Sequence, residues 1–142
     1  MEDFISLLKQ QSCSEKVAVT PELDEALTKV DQMLESICAE LQVEYDGPYV
    51  GVEILNAHRL VVRAHEWKIH EHTWSMKICS TAPAANHRAE WAVQSAGRLR
   101  KHVIVKALPL FFAGFVEAIA AAGKSDTPAG KRMQEVAQQL NA

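Results

Sequence analysis

Glu44-Tyr45-Asp46-Gly47-Pro48 is the stretch at which the chain changes its period, and its reading decides the fold. Before it, Leu23, Leu27, Val30, Leu34, Ile37 and Leu41 recur at spacings of 4, 3, 4, 3 and 4. That pattern puts an unbroken apolar stripe along about five turns of helix. After it, apolar and polar residues alternate and β-branched residues become frequent over residues 49–56 and 59–69, the pattern of half-buried strands. Gly47-Pro48 suits the break, because proline supplies no amide donor and cannot continue the helix.

Working back, Thr20-Pro21-Glu22 predicts the start of this helix. Thr20 is placed to cap it, Pro21 occupies the first turn, and Glu22, Asp24 and Glu25 sit at the positive end of the dipole. Residues 10–19 read as a polar loop. Phe4, Ile5, Leu7 and Leu8 predict a short amphipathic helix ahead of it, and with no basic region before them they do not read as a secretory signal.

Working forward, a loop at Asn56-Ala57-His58 would pair Ile54 with Leu60, Val52 with Val62 and Val50 with Ala64. A two-residue turn at Glu71-His72 would pair Ile69 with Trp74, Trp67 with Met76 and Glu66 with Lys77. The two hairpins disagree about which parity faces inward, so a β-bulge is expected near Ala64, His65 and Glu66. A third strand over residues 73–80 leads through Thr81-Ala82-Pro83-Ala84-Ala85 to Asn86, expected to cap a long helix whose apolar side carries Ala92, Ala96, Leu99 and Val103. Pro109 should kink or end it. Residues 110–122 are apolar nearly all round, and after a turn at residues 123–126 Thr127-Pro128 repeats the capping arrangement before a short helix with Met133, Val136 and Leu140 on one side.

The expected fold is therefore α+β in a single domain over residues 1–142: two N-terminal helices, a three-stranded antiparallel meander, a long proline-interrupted helix and a short C-terminal helix packed on the sheet. With 48% hydrophobic residues, 23% charged residues and a net charge of -3, the composition excludes disorder and collagen-like repeats. The charge is unevenly placed. Residues 1–46 carry a net charge of -8 and residues 47–106 a net charge of +5, which suits either an anion-binding basic face or attraction between two parts of one fold or between two copies of it, the attraction being favoured. Cys13, Cys38 and Cys79 form no Cys-x-x-Cys pair, which excludes a zinc ribbon and a disulfide framework and favours reducing cytoplasm. The apolar run over residues 107–123 contains Pro109 and Glu117 and is short for a membrane span.

Five groups of residues could carry chemistry. His58, His65, His70 and His72 cluster, but His70-Glu71-His72 falls beside an exposed hairpin tip with no third ligand fixed, so no metal site is expected. Glu53, Arg59, Arg63 and His65 could form an anion site on one sheet face, with the arginines holding a carboxylate or phosphate and His65 titrating near neutral pH; the same residues would equally make a solvated face. Trp67, Trp74 and Trp91 could line an apolar ligand cleft or simply fill the core. Arg98, Arg100, Lys101, His102 and Lys106 make a basic cluster that a helix bearing Asp31, Glu35 and Glu40 could neutralise, and with no nucleic-acid-binding motif present a nucleic-acid partner is not expected. Phe111, Phe112, Phe115 and Ile119 exceed what a three-stranded sheet can cover and are expected partly in the core and partly at a two-fold interface.

No serine-nucleophile elbow, phosphate loop or paired carboxylates appear, no cofactor is implied, and no motif resembles a known family closely enough to name it. The sequence favours a small cytoplasmic, non-catalytic binding or adaptor protein, homodimeric, holding a small ligand or partner chain between sheet and helices. Two rival readings are an enzyme acting on a small anionic substrate through Arg59, Arg63 and His65, and a chaperone- or immunity-like accessory protein.

Overall fold

The computed structural model describes residues 3–50, 58–68, 71–80, 91–92 and 97–142, with side chains described for 3–50, 59–63 and 97–142. The class is α+β: four helices and a small antiparallel sheet. In chain order these are α1 (Asp3–Cys13), α2 (Pro21–Leu41), β1 (Tyr45–Tyr49), β2 (His58–Lys68), β3 (Glu71–Ser80), β4 (Trp91–Ala92), α3 (Arg98–Ala121) and α4 (Pro128–Asn141).

The helical half forms for the reasons its sequence gives. Thr20 is extended, and its hydroxyl accepts from the Leu23 amide at 3.2 Å, so one orphan donor of the first turn of α2 is satisfied. Leu23, Leu27, Val30, Leu34 and Leu41 are fully enclosed, with Cys38 taking the inward place beside a half-buried Ile37. The helix stops at Gln42, which adopts the left-handed conformation (φ 54°) and returns its amide to the Cys38 carbonyl at 2.6 Å. Thr127 caps α4 in the same way as Thr20, accepting from the Gly130 amide at 3.0 Å.

The sheet differs from the expected three-stranded meander. Its strand order is β1-β2-β3-β4, but the long element is the antiparallel β2–β3 pair, flanked by a five-residue β1 and a two-residue β4. The first strand is Tyr45–Tyr49, four of whose five residues fall in the stretch read as a helix break, and it pairs Tyr45 with Val62 and Tyr49 with Arg59. The expected partners Val52, Ile54 and the loop at Asn56-Ala57 lie outside the described residues. Glu71 and His72 belong to β3 rather than to a turn, so Glu66 stands opposite His72, not Lys77, and Trp74 opposite Ala64, not Ile69. The irregularity in β2 falls between Glu66 and Lys68, one step beyond the expected bulge, while Ala64, His65 and Glu66 remain in regular register.

The third helix also departs from expectation. Asn86 lies outside the described residues, and Trp91 and Ala92 form β4 where helix was expected. The helix begins at Arg98 after Gly97, an extended N-cap without a side chain to donate or accept. It then runs through Pro109 to Ala121 without ending. Its inward face is Lys101, Ile104, Val105, Leu108, Phe111, Phe112, Phe115 and Ile119, so of the stripe expected on its apolar side Leu99 is turned outward, 73% exposed, while Val103 is half-buried against the core. The outcome follows from bulk, since three phenylalanines bury far more apolar surface than Leu99 and Val103 could.

α2 lies against β3 and α3 against β1, with α1 and α4 packed on both long helices. One core joins all four helices to Leu60 and Val62 of β2. By length and composition α3 could cross a membrane, the one such helix among the described residues, yet its inner face fills this core.

Candidate functional site

The two arginines expected to bind an anion are both present at the β1–β2 edge, and both are engaged by their own chain. Register shifts between Asp46 and Tyr49, where Pro48 has no amide to give to the ladder. Arg59 fills the gap: its Nε donates to the Gly47 carbonyl at 2.8 Å and Nη2 to the Asp46 carbonyl at 3.3 Å, while its guanidinium sits 4.7 Å from the centre of the Tyr49 ring. Arg63 Nη1 donates to the Tyr45 and Val62 carbonyls at 3.4 and 3.0 Å. Its Nη2 pairs with Asp46 Oδ1, and its Nε lies 3.8 Å from Glu44 Oε2. An incoming carboxylate or phosphate would therefore compete with Asp46 and Glu44 for the same fork.

Beneath this edge, Tyr45 stacks on Phe115 with ring centres 5.5 Å apart and an interplanar angle of 11°, and tilts against Phe111 at 5.3 Å. Burial raises the Tyr45 phenol above its ordinary value; the Arg59 charge opposes that shift and the Glu117 charge adds to it. Gly47 permits the close approach. A Cβ there would stand 2.7 Å from the Leu60 carbonyl oxygen and 2.8 Å from Phe111 Cδ2.

Glu53 lies outside the described residues. The backbones of His65, Trp67 and Trp74 are in β2 and β3, and that of Trp91 in β4, but their side chains lie outside what is described. Register places Trp74 opposite Ala64 and Trp91 opposite Ile78, itself opposite Leu60. Trp91 thus shares a cross-strand row with Leu60, which enters the core, and Trp67 sits at the register shift. Phe111, Phe112, Phe115 and Ile119, expected partly at an interface, are enclosed within one chain.

The basic cluster is dispersed. Lys101 is buried and its Nζ lies 2.5 Å from Asp24 Oδ1, rather than reaching Asp31, Glu35 or Glu40; His102 Nδ1 accepts from the Val17 amide at 3.3 Å. The sequence carried a signal for the former, since Lys101 shares its helical face with Ile104, Val105 and Leu108. Among the described residues no group of three histidine, cysteine or acidic side chains could hold a metal; His70 lies outside them. Cys38 is enclosed, and burial pushes its thiol up to about 12, which makes it a small hydrophobe rather than a nucleophile. A shallow cavity of about 140 Å³ opens between the starts of α1 and α2, with Phe4, Leu7 and Ala26 as its floor and Asp3, Glu22, Glu25 and Lys29 around it. No protein-family model, curated protein or solved structure matches the chain.

Proposed function

We propose that the chain is a non-catalytic binding or adaptor protein that works as a homodimer and holds a small ligand or partner chain between its sheet and helices. The observation that carries this reading is the two-sided apolar character of α3. One side fills the core with Phe111, Phe112 and Phe115, while the opposite side presents Leu99 and Leu110 at 73% and 65% exposure. A helix apolar all round ordinarily has both sides covered. The steep charge asymmetry, -8 over residues 1–46 against +5 over residues 47–106, adds attraction between copies.

Against the enzyme reading stands the engagement of Arg59 by β1 carbonyls and of Arg63 by the Tyr45 carbonyl, Asp46 and Glu44, with which an incoming anion would have to compete. The test is native mass spectrometry of untagged protein with light scattering at micromolar concentration. A dimer is expected, and a co-purified adduct would define the ligand class. A bare monomer at every concentration overturns the homodimer and moves weight to the accessory-protein reading.

A further inference from the structure

The outward side of α3 has a regular seam. Leu99, Val103, Lys106, Leu110, Ala113 and Glu117 follow one another at spacings of 4, 3, 4, 3 and 4, and all six are exposed or half-buried. That is the 3.5-residue period at which two helices keep a shared seam in register. Lys101, Ile104, Leu108, Phe111 and Phe115 lie on the opposite side of the helix and are buried, and of the seam residues Val103 also packs in part against the core.

We infer that α3 is the contact between copies, and that a second copy packs on it antiparallel through this seam. The inference rests on the homodimer proposed above and names its surface and direction. Direction follows from the two charges in the seam. Among the described residues neither Lys106 nor Glu117 forms an ion pair within its own chain. In a parallel pair each would face its own like charge, which is repulsive. In an antiparallel pair Lys106 of one copy faces Glu117 of the other, twice by symmetry, and Leu110 then falls against Ala113 between the two ion pairs. The small side chain at Ala113 lets the backbones approach there, as a leucine at that place would not.

The test uses the full chain and four variants: Leu110→Asp, Lys106→Glu, Glu117→Lys, and the double exchange of Lys106→Glu with Glu117→Lys. All three sites are exposed or half-buried in one copy, and circular dichroism with thermal melting checks that each variant folds. Sedimentation equilibrium should show Leu110→Asp monomeric at micromolar concentration and each single charge reversal weakening the dimer by about tenfold. The double exchange should restore the wild-type association. A dimer indifferent to Leu110→Asp, or a double exchange no better than the singles, overturns the α3 seam while leaving the homodimer reading in place. A wild-type chain that is monomeric throughout overturns both.

Discussion

Lys101 Nζ lies 2.5 Å from Asp24 Oδ1 and ties the first turn of α3 to the first turn of α2, with Lys101 only 7% exposed. The two ends of this pair are unequal. Asp24 keeps 44% of its side-chain surface in water, whereas Lys101 keeps 9%. Asp24→Asn therefore leaves a cation inside the protein without a counter-charge, at a helix start whose dipole already disfavours it. The expected loss is about 1–3 kcal/mol, discounted for the exposed carboxylate. Lys101→Met leaves a carboxylate that water can reach and an apolar side chain in an apolar place, so its loss should be smaller. Urea denaturation of the two variants checks the order, and equal midpoints would remove the asymmetry from the account.

Gly47 is held between strand and helix. Its missing Cβ is the space in which the Leu60 carbonyl and the Phe111 ring meet. Gly47→Ala must push backbone on one side or a fully enclosed ring on the other, and should destabilise by about 1–3 kcal/mol. Because Phe111 also touches Tyr45 and Phe112, near-ultraviolet circular dichroism should change together with the melting temperature. A lower melting temperature with unaltered aromatic signals would place the strain elsewhere.

The parts of the fold that were legible in the sequence are those fixed by local chemistry. Thr20-Pro21 and Thr127-Pro128 announced two helix starts because capping needs only a hydroxyl within three residues of an amide. Leu23 to Leu41 announced a buried stripe because its period is that of the helix itself. The sheet was less legible, since register is set by contacts far along the chain. Tyr45 to Tyr49 reads as a break on account of Gly47 and Pro48, yet it forms a strand because Arg59 and Arg63 supply donors across the irregularity. The turn of α3 was missed for a similar reason. Leu99 and Val103 fit an inward stripe as well as Ile104 and Leu108 do, and only the bulk of Phe111, Phe112 and Phe115 further on decides which side turns in. Of the candidate site, Arg59 and Arg63 were found by residue type, but their carbonyl partners could not be read before the position of β1 was known.

Two described thiols should behave oppositely. Cys13 is exposed near the end of α1, and Cys38 is enclosed. With a dithiobis-nitrobenzoate reagent at neutral pH, peptide mapping should find Cys13 modified in the native protein and Cys38 only after unfolding. The Cys38 thiol is raised from 9.0 to about 12 in the folded chain, so folding favours its protonated form. That contribution is present below pH 9 and is lost as pH rises toward 12, with a slope of about 1.4 kcal/mol per pH unit. Cys38→Ala should flatten alkaline unfolding over this window, and an unchanged slope would mean that other groups govern it.

Arg63 gives the sharpest separation between a binding site and a structural clamp. Its acidic partners are more than half exposed, at 59% for Glu44 and 52% for Asp46, so the ion pairs themselves should contribute under about 1 kcal/mol. The donors to the Tyr45 and Val62 carbonyls matter more, because Arg63 is 16% exposed and truncation leaves a void beside β1. Arg63→Ala should therefore lower stability by about 1–2 kcal/mol, and Asp46→Asn by less than half of that. Phosphate titrated at constant ionic strength should not raise the melting temperature of the wild-type chain, since an anion must displace Asp46 to reach the guanidinium. If phosphate does stabilise the wild type, and Arg63→Ala abolishes the effect, the guanidinium is available to ligand and the anionic-substrate reading regains its donors. Asp46→Asn is the informative intermediate: with the competing charge removed and the fork still held by carbonyls, a modest phosphate response should emerge there first.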